Sequence, residues 1–415
     1  MCFTVLYIFS KPWEEGWGSK VVFEKDSCGS MILNHKNAWM FTGIGNEVNL
    51  SISNASLRLS GLETPISGSG HSQLVCSYNW AHKTQPTIYV PGNIEVMSKL
   101  PDSSHEFHEI TSCIPEYPFE VVFRAVESMN PTFRFNSVDI LLNRNSLRRL
   151  HDFCLGRVQD SFRVNLYLVN STLIVEMCFV LRGSAQTGFG HNFERAVTRL
   201  PPDLLDSSAH HRVLCYKLGG LECAVHFEVD ASYDGADKAG APGASKPIEK
   251  SGGGGVQSLE ASLSSMTLDS SAHAKAKHVS VSAISRGSGT PQASVAELKS
   301  IFKKRSGLKK LPQLWFGRTR YLIKGYHKQG LFNRLQVDDC REALVDWEND
   351  EANQAALQKM ALLLSRLRDI VSMTHGKACV AIYEKGVENC ALRVFSSRSE
   401  RGPLPYSIID KFWKA

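Results

Sequence analysis

Short apolar stretches recur along the chain, and in the first of them apolar and polar residues alternate with a period of two, which together predict strands. Stretches of this kind lie at 73–78, 86–90, 138–142, 162–168, 172–176, 211–216, 222–227, 321–326, 378–383 and 390–395. Short turn sequences separate several neighbouring stretches and predict hairpins. The chain is therefore predicted to be rich in strands.

Apolar residues at helical spacing predict a smaller number of helices between these strands. The predicted helices cover 119–128, 147–153, 188–194, 311–315 and 351–373. The last of them has the longest uninterrupted amphipathic pattern. Helices and strands do not alternate regularly along the chain, so the pattern favours an α+β fold with mixed sheets flanked by helices.

Two segments show neither pattern. Residues 1–60 carry clusters of Gly, Asn and Ser and predict a loosely attached N-terminal segment. Residues 235–292 are rich in Gly, Ser and Ala with almost no aromatic residues, so they cannot bury enough surface to become ordered. We predict one domain, 61–415, interrupted by a long disordered insert. A flexible loop adds only a logarithmic closure cost, so the strands on either side of the insert can still pair.

Composition limits the class of protein without defining its chemistry. The chain is 43% hydrophobic and 21% charged, which is ordinary for a globular protein, and its net charge of +6 gives a mild attraction to polyanions. Eleven cysteines occur without a CxxC pair, which favours reduced thiols in the nucleus or cytoplasm and argues against a zinc module. No apolar run reaches the length of a membrane span, so no membrane segment is expected.

Two short strands that flank the insert carry alternating charged residues. Glu228 and Asp230 end the first strand, and Glu297 and Lys299 lie in the second. Residues two apart on a strand share a face about 7 Å apart, so pairing the strands would bring three carboxylates and one ammonium group together. Carboxylates at that distance repel one another unless a hard cation such as Mg²⁺ or Mn²⁺ neutralises them. This is the pattern of a PD-(D/E)xK nuclease centre, and the alternative is an ordinary solvated strand face.

The order of the surrounding motifs resembles the DXO-type decapping and 5′-end exoribonuclease family, a eukaryotic group built on the PD-(D/E)xK fold. The similarity runs from about residue 73 to the end of the chain, without the insert. The matching features, in chain order, are Asp139 followed by Arg144, the hairpin at 162–176, the segment Gly188 to Glu194, Glu228-Val229-Asp230, Glu297-Leu298-Lys299, Gln313 and Gly325-Tyr326.

The resemblance implies a role for each matching residue. The implied metal ligands, for two divalent ions, are Glu194, Glu228, Asp230, Glu297 and the carbonyl oxygen of Leu298. Lys299 would orient or activate the attacking water, which makes it catalytic together with Glu228, Asp230 and Glu297. Arg144 and Gln313 would hold the phosphates of the RNA substrate.

The resemblance implies a hydrolase that uses Mg²⁺ or Mn²⁺ and acts on RNA 5′ ends. Expected activities are removal of triphosphate, incomplete or NAD-type caps, together with 5′–3′ exoribonuclease action. A second interpretation is a catalytically weak or inactive relative that binds RNA ends and assists an exoribonuclease partner. A third is a DNA endonuclease with the same core. The expected location is the nucleus, the cytoplasm or both.

Two further features have less specific interpretations. The basic residues 303–305 and 309–310 follow the second strand closely and either guide an RNA backbone or form a solvated helix face. The adjacent pair His210-His211 lacks metal-ligand partners at usable spacing and is predicted to be solvent-exposed.

Overall fold

The structure is a computed structural model of the chain. It describes residues 37–59, 64–98, 116–178, 190–235, 279–302, 310–328, 331–387 and 390–414. Among these residues, no helix combines the length and the apolar composition that a membrane crossing requires.

The described residues form strands throughout, with helices concentrated in a few connections. The strands are β1 (Ile44–Ile52), β2 (Ser72–Ala81), β3 (Thr87–Pro91), β4 (Val96–Met97), β5 (Ile140–Asn143), β6 (Phe162–Val169), β7 (Thr172–Cys178), β8 (Thr198–Arg199), β9 (Ser207–Leu218), β10 (Leu221–Val229), β11 (Ala231–Ser232), β12 (Ser282–Arg286), β13 (Val295–Ile301), β14 (Tyr321–Lys328), β15 (Leu331–Asp339), β16 (Ala378–Tyr383) and β17 (Leu392–Ser397). The helices are α1 (Glu120–Met129), α2 (Arg144–Cys154), α3 (Gly190–Val197), α4 (Leu311–Phe316), α5 (Arg341–Asn349), α6 (Glu351–Met373) and α7 (Tyr406–Trp413).

The larger of two sheets contains eleven strands in the order β1-β17-β16-β6-β7-β5-β10-β9-β2-β3-β12. Strand β5 pairs parallel with β7 and with β10, and β12 pairs parallel with β3, whereas the other neighbours are antiparallel. Because β5 and β10 run in the same direction side by side, their carboxyl ends lie at the same edge of the sheet.

The smaller sheet contains six strands in the order β15-β14-β13-β11-β4-β8. Strand β13 pairs parallel with β14 and antiparallel with β11. Helix α3 packs on this sheet through Phe193 and Val197, which share a small apolar core with Ala296, Leu298 and Ile323. One face of β13 is therefore buried against α3.

Both faces of the larger sheet are covered, which explains the apolar composition of its central strands. Leu142, Val225 and Phe227 belong to the core on the side of α2, α4, α5 and α6. Leu141 and Ala224 belong to the core on the opposite side, with α1 and α7. The sheet therefore separates two apolar layers, and α2 begins at the edge where β5 ends.

The predicted α+β fold with mixed sheets is confirmed, and the predicted helix at 351–373 has the bounds of α6. The prediction that residues 1–60 form a loosely attached segment is wrong for the described part of that segment. There β1 pairs with β17, and Met40 and Ile52 are buried. Residues 1–36 lie outside the described residues.

The predicted insert at 235–292 is also too long at its C-terminal end. Strand β12 forms within that range and extends the larger sheet beside β3. Its residues are mostly exposed, so their composition does not reveal the strand. Residues 236–278 lie outside the described residues.

The aromatic cluster at the end of the chain is expected to contribute strongly to stability. Phe412 of α7 is 1% exposed and contacts the rings of Phe123 and Phe135. We expect Phe412→Ala to lower the free energy of unfolding by about 3–5 kcal/mol, measured by urea denaturation, because the truncation leaves a cavity. Tyr406→Ala, at a residue of the same helix that is 73% exposed, is the control and should cost less than about 1 kcal/mol. Equal effects of the two changes would contradict the assigned packing.

Candidate active site

The candidate site lies where the chain leaves the larger sheet for the smaller one. Strand β10 ends at Val229, and β11 begins at Ala231, which pairs with Ala296 of β13. We expected the strand that carries Glu228 and Asp230 to pair with the strand that carries Glu297 and Lys299. That expected pairing is wrong, because the two residues that pair with β13 come after Asp230. Asp230 lies at the junction, where its Oδ2 accepts a hydrogen bond of 2.9 Å from the backbone N–H of Leu298.

Glu297 is the best-anchored carboxylate of the site. Its neighbours Ala296 and Leu298 point into the small core beneath β13, so Glu297 points to the opposite face. Its side chain is 6% exposed and forms an ion pair with Arg144, with 3.4 Å between Nη1 and Oε2. The Nε2 of Gln313 donates a hydrogen bond to its Oε1. The structure thus brings together the two predicted phosphate-binding residues and one predicted metal ligand.

The start of α2 positions Arg144. Asn143 caps the helix, with its side-chain oxygen accepting a hydrogen bond of 2.8 Å from the N–H of Ser146. Arg144 is the first residue of the helix, and its guanidinium lies 5.2 Å from the centre of the Phe227 ring on β10. The cap and the stacking contact fix Arg144 at the carboxyl edge of β5 and β10.

Asp230 carries the clearest electrostatic signal of the site. Burial raises the pKa of its carboxyl well above the usual value, and the nearby charges of Glu297 and Glu194 raise it further. The N–H of Leu298 and the charge of Arg144 oppose this shift. Carboxylates that repel one another in a partly buried site form a hard oxygen donor set, so Asp230, Glu297 and Glu194 fit a divalent cation in chemistry and charge.

The positions of the carboxylates support a metal site less strongly than their chemistry does. Across the part of the chain that the structure describes, no group of three or more His, Cys, Asp or Glu side chains is arranged to hold a metal ion. Glu228 is exposed and lies opposite His211 of β9, and its charge raises the pKa of Tyr78, although burial is the larger cause. The metal-binding, catalytic and phosphate-binding roles of all the predicted site residues remain predictions.

Lys310 is a basic neighbour of Lys299 to which the sequence analysis assigned no specific role. Burial, followed by the adjacent charge of Lys299, lowers the pKa of Lys310 to about 8. The Nζ of Lys310 donates to Gln313 Oε1 at 3.3 Å. Arg148, one turn after Arg144, is half-buried, and burial and the charge of Arg144 lower its pKa. The sequence signals were the basic run that ends at Lys310 and the four-residue spacing on α2.

Glu95 is a further acidic residue that was not predicted. It lies between Ile94 and Val96, accepts a hydrogen bond from the Thr198 hydroxyl, and is half-buried. Burial raises the pKa of its carboxyl, and the charge of Glu194 adds to the effect. A single acid inside an apolar stretch was the signal in the sequence.

The prediction that His210 and His211 are solvent-exposed is wrong. His210 is 2% exposed, with its Nδ1 2.9 Å from Asn79 Oδ1. The ring of His211 stacks on Tyr78 with 5.1 Å between ring centres. The hydroxyl of Tyr78 lies 2.9 Å from His226 Nε2. The rings of Tyr78, His211 and His226 form a packed layer on the sheet face that also carries Glu228, whereas His210 lies on the opposite face.

Solved structures share this fold across nearly all of their length. S. pombe Rai1 in complex with 3′-FADP has a TM-score of 0.53 and 12% sequence identity, covering 84% of this chain and 99% of that one. Scheffersomyces stipitis Rai1 has a TM-score of 0.52 and 11% identity, covering 85% and 98%. The DXO-type resemblance is thus confirmed at the level of the fold, which is that of Rai1.

The family assignment comes from the sequence. The chain belongs to the family described as "Domain of unknown function (DUF8563)", which matches residues 52–413. The match begins at Ile52, the last residue of β1, so it includes part of residues 1–60, which the sequence analysis placed outside the domain. No curated protein matches the chain by sequence.

Close packing of α3 on β14 is expected to depend on Gly325. A Cβ at this position would overlap the ring of Phe193, which precedes Glu194. We expect Gly325→Ala to displace α3 and lower the free energy of unfolding by about 1–3 kcal/mol in urea denaturation. Gly220→Ala is the control, because a Cβ there has no described atom within 4 Å, and it should change stability by less than about 0.5 kcal/mol. Similar values for the two variants would refute the role of Gly325.

The raised pKa of Asp230 predicts a pH dependence of stability. In the unfolded chain its pKa is about 3.9, whereas in the folded protein it is higher. Between the two values the folded state binds a proton that the unfolded state does not, so the free energy of unfolding falls as pH rises. Asp230→Asn cannot ionise, and we expect it to be more stable than wild type at neutral pH with a chelator present.

This difference should shrink as the pH approaches about 4, because the wild-type carboxyl is then protonated in the folded state and about half protonated in the unfolded chain. Urea denaturation from pH 4 to pH 8 measures it. Asp203→Asn, at an exposed aspartate, is the matched control and should follow wild type at every pH. An Asp230→Asn curve parallel to that of wild type would show that this carboxyl does not titrate differently in the two states.

Proposed function

We propose that this protein is a divalent-metal-dependent hydrolase that acts on RNA 5′ ends. The observation that carries the proposal is the arrangement around Glu297. Arg144 and Gln313 both contact its carboxylate, Asp230 lies beside it, and Lys299 shares its strand face. This combination of carboxylates and phosphate-binding donors lies at the junction of the two sheets, in a chain with the fold of Rai1.

Each side chain has a role that its chemistry supports. Asp230, Glu297 and Glu194 would hold the cation, with Glu228 as a further ligand. A divalent ion in this position supplies charge neutralisation for the phosphate and activation of water. The guanidinium of Arg144 has five N–H donors and needs only part of them for Glu297, so it can also hold a phosphate oxygen. Lys299 would orient the attacking water.

The nature of the 5′ end is also part of the proposal. S. pombe Rai1 has been crystallised in complex with 3′-FADP. This ligand supports including nucleotide-cofactor caps of the NAD type among the substrates, beside triphosphate and incomplete caps. A 5′–3′ exoribonuclease partner and a nuclear or cytoplasmic location complete the proposal.

A second candidate function is favoured by the open geometry of the carboxylates. Because no metal-holding group is assembled among the described residues, a protein that binds RNA ends without cutting them is the alternative. Isothermal titration calorimetry with Mn²⁺ separates the two. The hydrolase should bind the ion and lose it in Asp230→Asn, whereas the binding protein should give no heat of metal binding.

Hydrolysis of a panel of RNAs tests the proposed function directly. Purified protein is incubated with 5′-triphosphate, unmethylated-cap and NAD-capped RNAs, with Mg²⁺ or Mn²⁺, and the released products are measured. We expect release from at least one RNA, and a loss of about 100-fold or more in Glu297→Gln and Asp230→Asn, because each removes a carboxylate charge that would hold the divalent ion.

The exposed Asp203→Asn is the matched control and should retain wild-type rates. Absence of release from every RNA, or release that Glu297→Gln leaves unchanged, would overturn the proposed hydrolase. Comparison of wild type in EDTA with wild type in Mn²⁺ establishes whether the observed release depends on the metal.

A further inference from the structure

Glu95 contacts both chain segments that carry carboxylates of the negative part of the candidate site. Its main-chain oxygen accepts a hydrogen bond of 2.8 Å from the N–H of Ser232, which follows Asp230 by two residues. Its side chain accepts a hydrogen bond from the hydroxyl of Thr198, which follows Glu194 by four residues. One residue therefore connects the segment of Asp230 with the segment of Glu194.

The strand order of the smaller sheet explains these contacts, because β4 lies between β11 and β8. Strands β4 and β11 run parallel, so Glu95, which directly precedes β4, lies at the same end as Asp230, which directly precedes β11. In the antiparallel pair of β4 and β8, Met97 lies opposite Thr198. Residues two apart along a strand share a face, and a long side chain reaches its diagonal neighbour on the next strand, as Glu95 reaches Thr198.

Thr198 connects Glu95 to helix α3. Its side chain is buried, and its hydroxyl lies 2.8 Å from the main-chain oxygen of Glu194 in the last turns of the helix. Phe193 and Val197 of the same turns are fully buried in the small core that α3 shares with the smaller sheet. The backbone at Glu194 is thus held by apolar packing from below and by the Thr198 hydroxyl from the side of Glu95.

The donors and acceptors around Thr198 show which side chains can complete this connection. A hydroxyl has one proton, and this one faces two oxygen atoms, the carbonyl of Glu194 and the carboxyl of Glu95. A carbonyl cannot donate, so both contacts are hydrogen bonds only when the side chain at position 95 also supplies a proton. Burial, followed by the charge of Glu194, raises the pKa of the Glu95 carboxyl and so favours its protonated form.

We propose that Glu95 is a positioning residue of the metal site, which holds Glu194 at a fixed separation from Asp230 through Thr198 and does not itself bind the ion. This inference rests on the proposed function and deepens it by assigning a role to a residue outside the implied ligand set. Without the Glu95 contact, the end of α3 is free to shift relative to β11, and the two carboxylates lose the separation that a shared cation requires. Residues that orient metal ligands typically change metal affinity by about 10- to 100-fold when they are removed.

Mn²⁺ affinity, measured by isothermal titration calorimetry without RNA, tests the positioning role independently of hydrolysis. We expect Glu95→Ala to raise the Kd for Mn²⁺ by about tenfold or more. Thr198→Val keeps the shape of the side chain and removes only the hydroxyl, so it should raise the Kd in the same way. Glu95→Gln should retain most of the affinity, because its amide can both donate to and accept from the Thr198 hydroxyl.

A double variant establishes whether Glu95 acts through Thr198. If it does, Glu95→Ala combined with Thr198→Val should weaken Mn²⁺ binding no more than either change alone, since both break the same connection. Glu342→Ala, at an exposed glutamate of α5, is the matched control and should bind Mn²⁺ like wild type. Thermal melting in EDTA verifies that each variant is folded, and Thr198→Val carries the test if Glu95→Ala does not fold.

The dependence of RNA hydrolysis on Mn²⁺ concentration separates positioning from a part in the chemical step. Glu95→Ala should raise the Mn²⁺ concentration at half-maximal rate, whereas the rate at saturating Mn²⁺ should approach that of wild type, because the proposed ligands themselves are intact. A lower rate at saturating Mn²⁺ together with unchanged Mn²⁺ affinity would overturn the positioning role.

The outcomes distinguish failure of this inference from failure of the proposed function. If wild type binds Mn²⁺ and hydrolyses RNA 5′ ends, but Glu95→Ala and Thr198→Val bind Mn²⁺ as tightly as wild type, the positioning role is refuted and the proposed function stands. The same conclusion follows if Glu95→Gln loses as much affinity as Glu95→Ala, since Glu95 would then be a metal ligand. If wild type binds no Mn²⁺ and releases nothing from any RNA, both are refuted.

Discussion

The ion pair between Arg144 and Glu297 connects the two sheets at the site. Arg144 begins α2 at the edge of the larger sheet, and Glu297 belongs to β13 in the smaller one, with side chains 10% and 6% exposed. Removing two charges from water is costly, and a buried pair offsets that cost only when further hydrogen bonds complete it. Gln313 supplies one of these bonds to Glu297. The ion pair therefore fixes the position of α2 relative to β13 more than it stabilises the fold. It holds the Glu297 carboxylate beside Asp230.

The part of the fold that the sequence predicts is the part whose elements have an apolar periodicity of their own. The helix at 351–373 and the hairpin of β9 and β10 were found because each has its own repeating apolar pattern, which the cores on the two sides of the larger sheet use directly. The two edge strands of the larger sheet, β1 and β12, were missed. An edge strand pairs on one side only and tolerates polar residues, so its existence depends on the neighbour that it meets in space. For β12 that neighbour is β3, almost two hundred residues earlier in the chain.

The same holds for the site: what depends on neighbouring residues in the sequence could be predicted, and what depends on contacts between distant segments could not. The residues at the site could be predicted, since charged residues at two-residue spacing identified Asp230, Glu297 and Lys299. The way in which these residues come together could not be predicted, because the alternation along a strand does not reveal that the chain changes sheets after Val229. Lys310 was part of a basic run whose other members gave no reason to select it, and its proximity to Lys299 exists only once α4 has packed beside β13.

Glu297 lies at the boundary between a negative and a positive half of the site. Asp230 and Glu194 lie on one side, where burial and then the charges of Glu297 and Glu194 raise the pKa of Asp230. Arg144, Lys299 and Lys310 lie on the other, where burial and then the charge of Lys299 lower the pKa of Lys310. These shifts have opposite sign and the same causes, because burial disfavours the charged form of each group and a like charge nearby adds to the effect. In the proposed hydrolase, a divalent cation would bind in the first half and a phosphate in the second. Since opposite charges attract, binding of either proposed ligand would lower the electrostatic cost of binding the other, and this coupling would act equally in both directions.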